Sequence, residues 1–158
     1  MKRINKIIHH PFYTQSLSRL QALETDRIFC RHDMPHFLDV ARFMWIEVLE
    51  RQLSSDRDVV YAAALLHDIG RVEQYEIGTP HEQASAELAA KLLPDAGFNV
   101  DEVREVTAAI LSHRKSGVVS TLGQLLYQAD KRSRNCWCCS ARDMCNWSEE
   151  KKNQDIFR

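Results

Sequence analysis

Six side chains that can ligate a divalent cation, His36, His67, Asp68, His81, His113 and Asp130, recur between residues 36 and 130, each at or near the end of an apolar, helically spaced run. Imidazoles and carboxylates suit borderline and hard divalent ions, and such a site needs ligands from several helices, because one helix face offers few well-aimed positions. Ligands at helix ends can converge at one pole of a bundle. A single ion held there polarises a phosphoryl oxygen and acidifies its bound water, and two ions about 3.5–4 Å apart clamp both attacking and leaving oxygens. The implied chemistry is hydrolysis by metal-activated water. Its catalytic pair is His67 with Asp68, the latter the natural bridge between two ions because a carboxylate serves two metals where an imidazole serves one.

The dipeptide His-Asp occurs twice. His67-Asp68 closes the apolar run AAALL, which would bury it, whereas His32-Asp33 stands before Pro35 in a capping position. His32 is therefore read by default as a loop residue without a catalytic part, a role behind the ligands or facing the substrate being the alternative, and Asp33 as an N-cap oxygen. Arg71, Arg114 and Lys131, with Arg132, lie close in sequence to the ligands and are candidates for contacts to substrate phosphates.

The elements that must position these groups are all helical. A first helix is expected over SLSRLQALETDRIFC, residues 16–30, capped by Ser16 and facing inward through Leu17, Leu20, Leu23, Ile28 and Phe29, after a break at Pro11. A second, from Met34 to about Leu53, carries the stripe Phe37, Val40, Ala41, Met44, Val48 and Leu49 with His36 one turn ahead of Val40. The Ala-rich run from Asp58 to Leu66 predicts a helix buried on most sides, ended by His67-Asp68 with Gly70 in the left-handed conformation after its cap. His81–Leu93 forms the next helix, stopped by Pro94 and Gly97. Asn99 or Asp101 caps another that runs through Val103, Val106, Ile110 and Leu111 to His113, and Gly117 breaks the chain behind it. A last helix from Ser120 or Thr121 puts Asp130 on its final turn.

With 158 residues, 44% apolar, 27% charged and only five Gly and four Pro, the chain reads as an all-α, single-domain helical bundle with no strand or repeat. Residues 1–15 form an N-terminal extension, 16–135 the helical domain, and 136–158 a cysteine-bearing appendage on the same domain, ending in a frayed, charged tail. A net charge of -1 and the lack of a basic stripe exclude nucleic acid as a partner. The basic N-terminus breaks at Pro11 before any apolar stretch of signal-peptide length and no 18-residue apolar run follows, so a cytoplasmic location without membrane contact is expected.

Four of the five cysteines fall between residues 136 and 145. In a reducing compartment such a cluster means metal ligands or free thiols more often than disulfides. Cys136, Cys139 and Cys145 have the spacing of a metal knuckle that lacks one ligand. Cys30 is the candidate for the fourth, with Cys138 as its rival, and the ion would be zinc or an iron–sulfur cluster. Trp137 and Trp147 would shield the sulfurs in that case and merely anchor the segment otherwise.

The ordered ligand set resembles the HD superfamily of metal-dependent phosphohydrolases through HFLDVAR (His36), ALLHDIGR (His67 and Asp68) and LLYQADK (Asp130). HEQASAELAAKLL (His81) and ILSHRKSG (His113) are similar to the segments that supply a second metal in dinuclear members such as bacterial diadenosine tetraphosphate hydrolases. Cyclic dinucleotide phosphodiesterases pair two histidines and carry a GYP motif, where this chain has His113-Arg114 and no GYP. The resemblance implies an HD-type bundle, one or two ions of Fe, Mn, Ni, Co, Mg or Zn, and a small phosphorylated substrate of the nucleotide class. It also admits a dinuclear-iron oxygenase as an alternative. A non-enzymatic metal- or redox-sensing protein is the third reading.

Overall fold

A computed structural model describes residues 1–114 and 120–156; the break expected at Gly117 lies outside them. The described residues form eight α-helices and two single 3-10 turns, and no strand. The helices are α1 (Lys2–Ile8), α2 (Pro11–Leu23), α3 (Met34–Glu50), α4 (Arg57–Leu66), α5 (Arg71–Ile77), α6 (His81–Ala96), α7 (Val100–Ser112) and α8 (Thr121–Arg132).

The hub is α4. Its alanines 62, 63 and 64 are fully buried together with Val60 and Leu66, and these short side chains let α1, α3, α6, α7 and α8 all reach it. On α3, Phe37, Val40, Ala41, Met44 and Val48 form the buried stripe, while Leu49, expected on it, is 59% exposed. Leu111 of α7 likewise faces outward instead of inward. Both sit one position beyond the arc that the neighbouring helix covers.

Five local expectations are corrected. Pro11 starts α2 instead of breaking the chain: it occupies the first helical position, and the His10 ring Nδ1 accepts the Phe12 N–H at 3.3 Å as the cap. The same helix ends at Leu23, and Ile28 and Phe29 lie exposed in the following loop. Pro94 is inside α6, which continues to Ala96 before Gly97 (φ +93°) turns it off; burial of Leu92, Leu93 and Ala96 outweighs the lost backbone bond. The C-terminal segment is not frayed as far as residue 156, since the Asn153 amide donates to the carbonyls of Lys131 (2.8 Å) and Arg134 (2.7 Å) and clasps the end of α8.

Gly70 is the fifth correction and the most consequential. Its φ is -75°, so no left-handed residue is required there. What it supplies is room. A Cβ on Gly70 would stand 2.3 Å from the Ser85 nitrogen and 2.7 Å from the His81 carbonyl oxygen. The start of α6 therefore presses directly on the backbone after His67-Asp68, and the Ser85 hydroxyl accepts the Gly70 N–H at 2.9 Å.

At the N-terminus, Ile4 and Ile7 enter the core. Arg3 pairs with Asp56, Asp58 and Glu102 and lies over the Phe98 ring. No described helix is long and apolar enough to cross a membrane.

Candidate metal centre

Each expected ligand is delivered by a helix end. His36 sits in the first turn of α3, which Asp33 caps by accepting the His36 N–H at 3.1 Å. His67 is the C-cap of α4 and Asp68 follows it; His81 opens α6, His113 is the C-cap of α7, and Asp130 lies in the last turn of α8. All six are buried. Six ligating residues in a protein interior demand either mutual neutralisation or a bound cation.

They fall into two groups that share one carboxylate. His36, His67, Asp68 and Asp130 offer ligand atoms within 4.8 Å of one another, and so do Asp68, His81 and His113. His67 Nε2 is 3.4 Å from Asp68 Oδ2 and 3.9 Å from Asp130 Oδ1. On the other side, Asp68 Oδ1 lies 3.0 Å from His81 Nε2 and 3.7 Å from His113 Nε2. One oxygen of Asp68 thus faces each group, the arrangement of a carboxylate that bridges two ions.

The imidazoles are held so that Nε2 points inward. His67 Nδ1–H donates to the Ala64 carbonyl at 2.7 Å and His113 Nδ1–H to that of Ile110 at 2.6 Å. His81 Nδ1 meets the Gln74 side-chain oxygen at 3.1 Å. The Ser133 hydroxyl gives its proton to the Asp130 carbonyl and accepts from His36 Nδ1 at 3.2 Å. Such outer partners select the tautomer whose free nitrogen can bind a metal. His67 Nε2 and Asp68 Oδ1 are fully buried and make no hydrogen bond. Orphaned atoms of this kind cost free energy unless something fills the space between them, and the donor set fits a divalent ion.

The electrostatics agree. Burial, reinforced by the Arg134 and His67 charges, drives His36 down to about 2, so it stays a neutral ligand. Burial also opposes charge on His67, but the Asp68 and Asp130 carboxylates overcome it and raise His67 to about 9. Against the cost of their own burial, both carboxylates are held well below the usual range, with His67 foremost among the causes for each. Beside His67, the Arg71 charge helps to keep Asp68 ionised and the Arg134 charge does the same for Asp130.

His32 overturns the reading given to the first His-Asp pair. It is buried, its Nε2 lies 3.5 Å from Asp68 Oδ2, and Nδ1–H donates to Glu24 at 2.6 Å. Glu24 also accepts the His32 backbone N–H and the Tyr75 hydroxyl. Asp33 is an N-cap as expected, but its neighbour lines the centre. The usable signal was position: His32 precedes His36 by four residues, and the chain turns so that both rings meet edge to face at 5.8 Å.

Among the basic residues, Arg71 Nε is 3.1 Å from Asp68 Oδ2 and Lys131 Nζ 2.7 Å from Asp130 Oδ2, both beside the ligand carboxylates. Arg114 is exposed and pairs with Glu82 at 3.7 Å, at the outer edge of the His81 side. Arg134, which the sequence did not single out, is buried, and its guanidinium donates to Asp130 Oδ1 at 3.0 Å and to His36 Nε2 at 3.2 Å. The five cysteines are free. They are not among the described groups of three or more ligand atoms within 4.8 Å of one another, both of which contain Asp68. Cys30, Cys136, Cys138, Cys139 and Cys145 all line a cavity of about 400 Å³ that His36 and Arg134 also reach.

An all-helical domain with a buried histidine–aspartate centre at one pole defines a class of helical proteins built to hold a metal ion. Residues 7–135 match the HD domain, and the chain belongs to that family. It is 42% identical over 157 residues to an uncharacterized protein of Clostridium beijerinckii, covering 99% of both chains. It is 28% identical over 120 residues to Ribonuclease Y of Thermoanaerobacter pseudethanolicus, covering 76% of this chain and 22% of that protein. The crystal structure of a predicted HD superfamily hydrolase from an uncultured Thermotogales bacterium matches with a TM-score of 0.69 and 26% identity, over 92% of this chain and 81% of that one. The fold is therefore the HD fold, and the protein is an HD-type hydrolase by family and by its metal-binding cluster.

Proposed function

We propose that the protein is a phosphohydrolase acting on a nucleotide or another small phosphorylated molecule in the cytoplasm. The observation that carries this reading is Asp68 shared between two ligand groups, with one orphaned oxygen and an orphaned His67 nitrogen at their centre. When bound, one or two divalent ions held by His36, His67, Asp68 and Asp130 and by Asp68, His81 and His113 supply Lewis acidity and acidified water.

The chain's own residues do the rest. Asp68 and Asp130 bring the negative charge that favours cation capture, and the carbonyls of Ala64 and Ile110 hold His67 and His113 in register. Arg71 and Lys131 sit at the two ligand carboxylates, where their charges can meet phosphoryl oxygens. His32, fixed by Glu24, presents Nε2 beside them.

The ligand pattern, one histidine at His113 and none paired with it, supports nucleotides of the diadenosine tetraphosphate type over cyclic dinucleotides. The likeness to Ribonuclease Y supports phosphoester chemistry. A panel of nucleoside phosphates, dinucleoside polyphosphates, cyclic dinucleotides and an RNA oligomer, assayed with Mn²⁺, Fe²⁺, Ni²⁺, Co²⁺, Mg²⁺ and Zn²⁺ in turn, tests the proposal. Turnover of a small nucleotide that disappears with Asp68→Ala is expected. No turnover of any phosphoester with any ion would overturn it, and oxygen consumption by the iron-loaded protein would replace it with the oxygenase reading.

A further inference from the structure

The cysteines form the other unusual grouping in the molecule, and nothing in the hydrolase reading uses them. We propose that Cys30, Cys136, Cys139 and Cys145 ligate a second metal centre, a thiolate-held iron–sulfur cluster, in the cavity that they line.

The first ground is convergence across the chain. Cys30 sits in the loop between α2 and α3, while Cys136 and Cys139 flank one 3-10 turn, the first opening it and the second capping it, and Cys145 caps another. Packing brings all of them to one cavity of about 400 Å³, although more than a hundred residues separate Cys30 from the others. None is spent in a disulfide. Cys136 is buried, and Cys139 and Cys145 are partly so.

The second ground is spacing. Zn–S bonds of about 2.3 Å draw four sulfurs to within roughly 4 Å of each other. The thiols here line a cavity of about 400 Å³, room that a single tetrahedral ion would leave largely empty. A cluster distributes its thiolates over several irons and fills more of that space.

The third ground is charge. Four thiolates on one cluster need compensating cations, and Arg31, Arg134, Arg142 and Lys152 line the same cavity against the two carboxylates Asp33 and Asp39, with Arg134 also paired to Asp130 and Arg142 and Lys152 to Glu149. Arg142 also donates to the Cys136 carbonyl at 3.0 Å, which ties the first turn to the second. Cys30 and Cys138 are both exposed, and Cys138 is set apart by its Sγ–H, directed 3.6 Å to the Asn135 carbonyl. The two centres touch through Arg134, which lines the cysteine cavity and donates to His36 and Asp130.

The test is anaerobic reconstitution of the full chain with mixed ferrous and ferric iron and sulfide, which supplies the ferric ions of the cluster without a further oxidant. Acid-labile sulfide is the decisive readout, because the histidine–aspartate centre can take up iron but has no thiol to hold a sulfide-bearing cluster. Wild type and Cys138→Ser are expected to gain labile sulfide with matching iron and a broad visible charge-transfer band, and Cys30→Ser and Cys145→Ser to lose them. Alkylation of reconstituted wild type, read by mass spectrometry, guards against variants that misfold: Cys138 alone should react. Absence of labile sulfide in wild type, stoichiometric zinc in its place, or a Cys30→Ser protein that binds sulfide like wild type would each overturn the proposal. The hydrolase reading is untouched by any of these results, since the phosphoester assay needs no sulfide.

Discussion

The histidine–aspartate pole and the cysteine cavity are neighbours built on opposite principles. At the first, ligands ride on the ends of α3, α4, α6, α7 and α8, and the packing of those helices around the alanines of α4 brings the atoms of each ligand group to within 4.8 Å of one another. At the second, thiols ride on a loop and two single 3-10 turns and ring a cavity more loosely. Rigid elements preorganise a site in advance of its ligand, whereas short turns leave the final approach to what they bind. The first site is paid for by the core. The second must draw its geometry from the bound group.

The sharpest way to break this contrast is Asp68→Ala. It removes the residue common to both ligand groups and leaves buried His67 and Arg71 without their shared partner. Turnover and bound divalent metal should both vanish while helix content by circular dichroism stays near wild type, and sulfide uptake at the cysteines should persist. Joint loss of both centres would show that they are one unit.

Gly70→Ala comes next. The added Cβ collides with the backbone of α6 at Ser85 and His81, so α6 must move. A destabilisation of about 1–3 kcal/mol in chemical denaturation is expected, with weaker metal binding on the His81–His113 side than on the His36 side. An unaltered second-ion affinity would show that rigid delivery does not govern this centre.

A smaller effect is expected from Ser133→Ala. It deletes the hydroxyl that fixes His36 Nδ1 and leaves every ligand in place. Loss of an outer partner typically costs 10–100-fold in metal affinity, measurable by competition with a chromogenic chelator. Unchanged affinity would mean that the helix alone aims His36.

The smallest change is a pH effect in metal-free protein. Glu24 accepts from the His32 backbone, the His32 ring and Tyr75. Although burial works against ionisation, these contacts lower it from 4.5 to about 2. A depressed carboxyl stabilises the fold above its unfolded value and loses that contribution as pH falls from 4.5 toward 2. Unfolding free energy should therefore drop less steeply across that window in Glu24→Gln than in wild type, by on the order of 1–2 kcal/mol. Parallel curves would remove Glu24 from the support of His32.

Much of this was legible in advance because it is local. Asp33, Asn99 and Ser120 cap helices where their side chains meet the first free N–H groups, and the stripe from Phe37 to Val48 follows helical periodicity. The ligands could be ordered from their places at helix ends. His32 was misread because the same His-Asp dipeptide that caps α3 also turns its imidazole inward, and only the position of Glu24 reveals which face it takes. Arg134 was missed because a basic residue after a helix is ordinarily solvated, whereas the Asn153 clasp and the cysteine turns fold this one back over Asp130.

The amino-acid sequence by itself determined the all-helical architecture, the ligand types and the helix ends that carry them. Each follows from periodicity and capping within a few residues. A bridging Asp68 and a Cys30 drawn to the C-terminal cysteines were already expectations of the sequence, whereas only the tertiary structure decided that Gly70 is there to admit α6 and that His32 and Arg134 line the centre. Those outcomes depend on the angles at which helices pack, which sum small displacements over the whole core and leave no trace at the level of neighbouring residues.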